Sequence, residues 1–230
     1  MLIVVAILGL IAGLSVPAIG RAKAFSQQTT CTANLRTLHQ ATMLYAADFD
    51  GRFPVANMSV QDSTGSSRQH NYATQLALEG YLGLPGGGFW DRLDSWKAVS
   101  KRRGAFCAWC PAAEACENRL ASGNMATYGM NVRIGGDIDN GFPNLKILQV
   151  ATPTKTALYM DGCFKSSGGF DVGVGVPSLP PSPMHPPYLY KQSNNPARSL
   201  NVVFVDGHVE TRRIADIPTA FTNVFWTPNR

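Results

Sequence analysis

The hydrophobic pattern of the chain changes character after its first 20 residues. Residues 1–20, MLIVVAILGLIAGLSVPAIG, carry no charged side chain, and Arg21 and Lys23 follow directly. Twenty helical residues rise about 1.5 Å each, so the run would extend about 30 Å, the thickness of a bilayer's hydrocarbon core. We therefore predict a membrane-spanning helix over residues 1–24. The residues of this predicted membrane helix are Leu2, Ile3, Val4, Val5, Ile7, Leu8, Leu10, Ile11, Leu14 and Pro17.

Two other structures could contain the same apolar run. A cleaved signal peptide would use the A-x-A site at residues 22–24, but no basic residue precedes the apolar core. A buried core helix would need a larger protein around it than 230 residues provide. Pro17 would cost a soluble helix about 3 kcal/mol, whereas membrane helices tolerate proline. The membrane helix is therefore the favoured prediction.

The helical pattern continues beyond the apolar run but becomes amphipathic. Leu35, Leu38, Thr42 and Tyr45 recur at spacings of three and four residues, which places them on one stripe of a helix. This stripe should pack on a globular domain. We expect the helix to end near residues 50–51, since Asp-Gly is a frequent helix end and a proline follows three residues later. The predicted globular domain thus covers residues 25–230 and includes the amphipathic half of the helix to about residue 50.

The second half of the chain shows the pattern of short strands. Residues 126–131 and 156–161 are apolar runs bounded by turn residues, and both predict strands. Residues 201–211, NVVFVDGHVET, place two β-prone runs around Asp206 and Gly207, which predicts a hairpin with a type I′ turn. The predicted fold class is α+β, with a long N-terminal helix packed on a small antiparallel β-sheet with long loops.

Four further segments complete the expected organisation. Residues 55–71 are rich in Ser, Gln and Asn and predict a surface loop, whereas residues 72–82 have the spacing of a helix. Residues 166–198 carry seven prolines and should lie across the surface in extended form. Residues 214–230 hold several large apolar side chains, which predict a short helix and a tail packed onto the sheet.

The charge of the chain does not favour nucleic-acid binding. The formal net charge is only +5, and the basic residues are scattered apart from the short clusters 101–103 and 212–213. Clusters of this size are typical of a solvated face. We therefore do not expect nucleic acid as a partner.

The five cysteines indicate an oxidising compartment if a membrane segment precedes the domain. Cys107 and Cys110, with Cys116 six residues on, could form disulfide halves, a redox dithiol or three zinc ligands. A redox motif should begin a helix after a strand, and a zinc site needs a fourth ligand at suitable spacing. Neither context is evident, so structural bridges are favoured, free thiols are the next alternative, and no metal is predicted.

No catalytic residue and no cofactor are predicted, and we expect that the protein is not an enzyme. The best catalytic candidate would be Asp161, Asp206 and His208 converging on one site. Turn geometry already accounts for Asp206, and an alternating strand face accounts for His208. Asp48-x-Asp50-Gly51 resembles the start of a calcium loop, but the later ligands of such a loop are missing.

Several short motifs follow one another along the chain. The N-terminal half carries the apolar helix with Pro17, then Cys31-x-x-Asn34-Leu35-x-x-Leu38, then Tyr45-Ala-Ala-Asp48-x-Asp50-Gly51-x-Phe53-Pro54. Further along the chain carries Phe106-x-x-x-Cys110-Pro111, Tyr128-Gly129-Met130-Asn131, Pro153-x-Lys155-Thr156, and Val203-Phe204-Val205-Asp206-Gly207-His208-Val209-Glu210. This order of motifs resembles the type IV pilin-like proteins, specifically the large pseudopilin-like group with a prepilin-type N-terminal cleavage and methylation segment and a C-terminal Asp-Gly motif. The similarity covers nearly the whole chain.

The resemblance implies a structural subunit, a pseudopilin or minor pilin, of a type IV pilus or type II secretion filament. Its partners would be the inner membrane, other pilin-like subunits and, if the true N-terminus is longer, the prepilin peptidase. It implies a single-pass inner-membrane protein with its domain in the periplasm, and the filament or cell surface as a further location. The same apolar helix also fits an alternative function, a membrane-anchored extracytoplasmic binding protein for an envelope component.

The sequence departs from the family pattern at two places. The family's C-terminal motif has a His ten residues before the Asp of Asp-Gly, where this chain has Pro196, and His185 is out of register. The family's basic leader and the Phe-Thr-Leu-Ile-Glu segment are also absent before Met1. We expect the in-frame DNA upstream of Met1 to encode such a leader, and a stop codon directly before Met1 would favour the plain membrane anchor.

We predict a disulfide between Cys31 and Cys110. The stripe that carries Leu35 and Leu38 must pack under the domain, and Cys110 follows the apolar Phe106 into it. Such a bridge closes a long loop and could contribute about 4 kcal/mol in the chain-entropy model. Peptide mapping without reduction should recover the linked pair, and a Cα separation above about 7 Å would exclude it.

Overall fold

The computed structural model describes residues 2–61, 67–82, 128–161, 173–174, 199–213, 216–218 and 222–228. Three helices and seven strands are assigned there, together with two 3-10 turns. In chain order they are α1 Leu2–Asp48, β1 Asn57–Gln61, β2 Ser67–Asn71, α2 Tyr72–Leu78, β3 Tyr128–Asn131, α3 Val132–Gly135, 3-10 turns at Ile138–Asn140 and Ile147–Gln149, β4 Ala157–Asp161, β5 Gly173–Val174, β6 Ser199–Phe204 and β7 Val209–Arg213.

The central sheet has the strand order β5-β3-β4-β6-β7. The neighbours from β3 to β7 are antiparallel, while the two-residue β5 pairs with β3 in parallel. A separate antiparallel ribbon joins β1 and β2. The helices and the mainly antiparallel sheet confirm the α+β class.

One face of the sheet is covered by the C-terminal half of α1. Cys31, Leu35, Leu38 and Tyr45 of α1 are buried, in a cluster with sheet residues that include Tyr159. The buried Thr42 hydroxyl lies 2.7 Å from the Tyr159 hydroxyl and 2.9 Å from the Leu38 carbonyl, to which it donates. The predicted stripe therefore faces the sheet, and its polar member is hydrogen-bonded.

A second cluster covers the opposite face of the sheet. It joins side chains of β4 and β6 with Phe225 and Trp226 from the tail. The buried Asn131 side chain donates to the carbonyls of Ala157 and Trp226, each at 2.9 Å, and so ties the tail to the strands. The tail packs on the sheet as expected. In the described residues 216–218 and 222–228 it has a 3-10 position at Asp216 and turns, and no α-helix.

The prediction of a surface loop over residues 55–71 was wrong for the part that the structure describes. Strands β1 and β2 pair there, from Asn57 opposite Asn71 to Gln61 opposite Ser67. Met58 and Val60 are the only apolar residues of these two strands. Ser59 is further fixed by Asp139, whose carboxylate accepts from the Ser59 backbone N–H at 2.9 Å and from its hydroxyl at 2.7 Å.

Two other expectations need smaller corrections. α2 ends at Leu78 because Gly80 adopts a φ of +89° and the N–H groups of Gly80 and Tyr81 bond back to Ala77 and Leu76. This is a Schellman C-terminus. Residues 166–198 contain the paired strand β5 at residues 173–174, and their other positions lie outside the described residues.

The buried stripe of α1 predicts a contrast between two leucines of one helix. Leu38 is 0% exposed and Leu44 is 60% exposed. We expect Leu38→Ala to lower the free energy of unfolding by about 2–5 kcal/mol, since it removes packed atoms and leaves a cavity. Leu44→Ala should change it by about 0.5 kcal/mol or less. Urea unfolding of both variants measures the difference, and equal losses would contradict the packing of this stripe.

Candidate functional site: the free half of the helix and the Asp-Gly turn

The helix α1 divides into two parts that differ in what covers their apolar side chains. In the N-terminal part, Ile3 is 76% exposed, Phe25 is 72% exposed, and Val4, Ile7 and Ile19 are also exposed. From Cys31 onward the apolar stripe is buried on the sheet. One continuous helix therefore carries an unpartnered apolar surface, within the described side chains, beside a fully packed one.

The sequence-predicted membrane residues all lie within α1. Ile3, Val4 and Ile7 are exposed. The side chains of the other predicted residues lie outside the described part of the structure; these are Leu2, Val5, Leu8, Leu10, Ile11, Leu14 and Pro17.

Within the described residues, no helix combines the length and the apolar character needed to cross a membrane.

The Asp-Gly turn joins β6 to β7, and it differs from the expected type I′ turn. Gly207 has a φ of +91°, but Asp206 does not have a positive φ. The Phe204 carbonyl accepts from the Gly207 N–H at 2.9 Å, and the Phe204 N–H donates to the His208 carbonyl at 3.0 Å. These bonds define a three-residue loop with glycine in the left-handed position, the second common hairpin connection.

The turn is held against α1 by His39. The Nε2 of His39 donates to the Val205 carbonyl at 3.0 Å. A Cβ placed on Gly207 would lie 2.8 Å from Cε1 and 3.0 Å from Nδ1 of the same imidazole. Gly207 is therefore required twice, for its positive φ and for the close approach of the helix.

A small charge network lies along the outer side of the turn. The His208 Nδ1 lies 2.5 Å from Asp206 Oδ1, and its Nε2 lies 3.3 Å from Glu210 Oε1. Both contacts are hydrogen bonds only when the ring carries two N–H groups, because a carboxylate oxygen is an acceptor. The Arg212 Nε donates to Glu210 at 2.6 Å, and this bond, more than any other contact, lowers the pKa of Glu210 below its ordinary value.

Aromatic rings pack against two members of this network, His208 and Arg212. The His208 imidazole stacks on Phe204, with ring centroids 4.3 Å apart and an angle of 3° between the ring planes. The Arg212 guanidinium lies 5.0 Å from the Phe204 ring centroid and 5.4 Å from that of Phe225. These contacts hold the Arg212 and His208 side chains on the Phe204 side of the sheet.

Cys31 is disulfide-bonded. The other four cysteines of the chain lie outside the described residues. The pairing of Cys31 with Cys110 therefore stays a prediction, although α1 does bring Cys31 to a buried position against the sheet, where the Tyr128 hydroxyl donates to its carbonyl at 3.2 Å.

The three candidate catalytic side chains do not converge. Asp161 ends β4, whereas the turn with Asp206 and His208 contacts Thr156, just before β4 begins, through the Val205 N–H at 3.0 Å. Five strand residues separate these ends by about 16 Å. Across the described residues, no group of three or more His, Cys, Asp and Glu side chains is arranged to hold a metal ion.

The Asp48–Gly51 segment caps α1 instead of forming the start of a calcium loop. The Asp50 carboxylate accepts from Lys146 at 2.5 Å, which lowers the pKa of Asp50. The Asp48 carboxylate accepts from the Tyr81 hydroxyl at 2.5 Å, and burial together with this carboxylate raises the pKa of Tyr81 to about 12. Both carboxylates are thus engaged within the protein.

The sequence did not single out His39 as the residue that docks the turn. The only signal was its place beside Leu38 at the edge of the apolar stripe, and the contact joins residues 166 positions apart. Asn131 was also missed. Its short polar side chain at the end of a buried strand is the kind of group that must find hydrogen-bond partners when it is buried.

No protein-family model, characterised protein or solved structure matches the chain. The resemblance to pilin-like proteins stays a prediction.

The contact between His39 and Gly207 predicts an unequal cost for alanine at two glycines. Gly141 also has a positive φ, +78°, but open space where a Cβ would lie. Gly141→Ala should cost about 1–2 kcal/mol from backbone strain alone. Gly207→Ala should cost at least about 1 kcal/mol more, because the new methyl group meets a ring that is fixed by its hydrogen bond. Urea unfolding of the two variants measures the difference.

The His39→Ala background separates backbone strain at Gly207 from the contact between the new methyl group and the His39 ring. With the imidazole removed, the further cost of Gly207→Ala should fall to that of Gly141→Ala. If the excess cost persists in this background, the close approach of α1 is not its origin.

Proposed function

We propose that the chain is a structural subunit of the pilin-like kind, a pseudopilin or minor pilin, held in the inner membrane by the N-terminal half of α1 before it joins a filament. The domain would lie in the periplasm. The proposed role is structural and not catalytic.

The observation that carries the proposal is the division of α1. Its C-terminal half is packed into the domain, while Ile3, Val4, Ile7, Ile19 and Phe25 remain exposed. An exposed apolar helix in water is unfavourable, by roughly 25 cal/mol for each Å² of apolar surface. The part of α1 before Cys31, which we call its free half, therefore needs an apolar environment outside its own domain. Lipid or other apolar helices would supply it.

A filament subunit would use these two environments in turn, first lipid and then the apolar helices of other subunits. The helix can leave a bilayer only when its apolar surface is buried elsewhere, and packing against equivalent helices of other subunits does this. The charge-free run of residues 1–20 and the order of motifs that resembles pilin-like proteins support this reading. The partners would be the inner membrane, other pilin-like subunits and a prepilin peptidase if the precursor is longer.

A charge in the free half should release the protein from the membrane. Ile7→Lys would place an ammonium in the bilayer core at a cost of up to about 3 kcal/mol, a loss of roughly 100-fold in partitioning. Gln40→Lys, on the exposed face of the packed half, is the matched control and should have no effect. Alkaline extraction of membranes measures the retained fraction, and equal retention of both variants would contradict membrane anchoring by this half.

Photo-crosslinking distinguishes a filament subunit from a plain anchor. A photoreactive residue at Ile7 should give a ladder of products that contain this chain or other pilin-like chains. The same photoreactive residue in place of Gln40 is the control, because it reports contacts made near the domain. If the Ile7 probe reacts only with lipid in membranes that retain the protein, the alternative of a membrane-anchored binding protein is favoured and the filament role is lost.

A further inference from the structure

The strand β7 forms one edge of the described sheet. The bond from the Phe204 N–H to the His208 carbonyl sets the alternation of its backbone groups. Since hydrogen-bonded and non-hydrogen-bonded pairs alternate in an antiparallel ladder, the backbone groups of Glu210 and Arg212 point toward β6. Those of Val209, Thr211 and Arg213 point outward.

This outer edge has no backbone partner among the described residues. The register of β7 on β6 is regular over all five residues, from Val203 opposite Val209 to Ser199 opposite Arg213. An edge of this kind offers a row of N–H and C=O groups on which another strand can pair. The side chains of β7 determine which side chains a pairing strand needs.

The sequence of β7, VETRR, is complementary to itself in the antiparallel direction. With a two-fold axis at Thr211, Glu210 of one copy lies opposite Arg212 of the other, at both ends of the axis. The two threonines face each other, and Arg213 faces Val209. The pairs of opposite charge fall on non-hydrogen-bonded positions, where side chains approach most closely.

The neighbouring registers are disfavoured by the same charges. An axis at Glu210 would place two carboxylates opposite each other, and an axis at Arg212 would oppose two guanidinium groups. Like charges directly opposite are destabilising. The Arg212 side chain donates through Nε to its own Glu210, and its Nη groups have no hydrogen-bond partner in the described part of the chain. They remain able to bind the carboxylate of a second copy.

We infer that β7 is a self-association edge, on which β7 of a second copy of this chain pairs antiparallel about a two-fold axis at Thr211. The pairing is isologous and would join two sheets into one. It is an additional interface and does not depend on the apolar half of α1.

The orientation of α1 defines which copies can pair. Gln28 of α1 contacts Thr211 through their side chains at 3.3 Å, and His39 contacts Val205 at the far end of β6. The helix therefore runs along β6 and opposite to β7. The two-fold axis reverses this direction in the second copy, so the free apolar halves leave the pair toward opposite ends. The edge would join copies of opposite orientation, and not neighbours whose helices run side by side in the same direction.

Charge reversal tests the pairing. The full chain in density-matched detergent, which covers the apolar half, should show a concentration-dependent dimer by sedimentation equilibrium. Glu210→Arg and Arg212→Glu should each weaken it by about tenfold, because two attractive pairs become repulsive. An equimolar mixture of the two variants should recover the affinity, since each chain then supplies the charge that the other lacks. In the mixture, each variant still lacks the Glu210–Arg212 bond within its own strand. A recovered dimer affinity must therefore come from contacts between the two chains.

Thr211→Pro provides a second test that leaves the fold intact. Proline removes the outward N–H of Thr211 but no hydrogen bond to β6. It should abolish the dimer, while Thr211→Ala, which loses the same hydroxyl contact to Asn201, should keep it. A full chain that stays monomeric, a mixture that does not recover, or a proline variant that still dimerises would each overturn the assignment.

Discussion

The burial of one stripe of α1 against the sheet is the contact on which the other parts of the structure depend. Leu35 and Leu38 are completely buried there, and the Thr42 hydroxyl meets the Tyr159 hydroxyl in the middle of the interface. The same packing brings His39 to the turn between β6 and β7. It also fixes the direction in which the free half of the helix leaves the domain. The docked turn and the direction of the N-terminal half of α1 are therefore two consequences of one interface.

Local periodicity was sufficient to predict the parts of the fold whose pattern lies within a few residues. The stripe of α1 and the two strands around Asp206 and Gly207 were predicted for this reason, and the α+β class followed. The ribbon of β1 and β2 was not predicted, because β2 is entirely polar and β1 has only Met58 and Val60 as apolar residues, which is too short an alternation to indicate a strand. Its anchor, the Asp139 carboxylate, lies 80 positions from Ser59. The turn type was missed because only Gly207 needs a positive φ.

The candidate site was predictable to the same extent. The charge-free run and the glycine of the turn are visible in the sequence, whereas the contact of His39 is not, because nothing near either residue specifies the other. The proposed edge needed both kinds of information. The charges of VETRR can be read from the chain, but which backbone groups face outward is known only once the loop is seen to contain three residues.

The long separation of these contacts along the chain has a consequence for how the protein folds. Gln28 and Thr211 are 183 positions apart, and His39 and Val205 are 166 apart. Domains closed by such distant contacts fold slowly, because a large loop must be ordered before the contacts that reward it form. During synthesis, the stripe of α1 has no β6 to cover it until the chain has reached about residue 205. Throughout that interval the nascent chain presents an uncovered apolar stripe, and exposed surface of this kind makes a folding chain prone to aggregation.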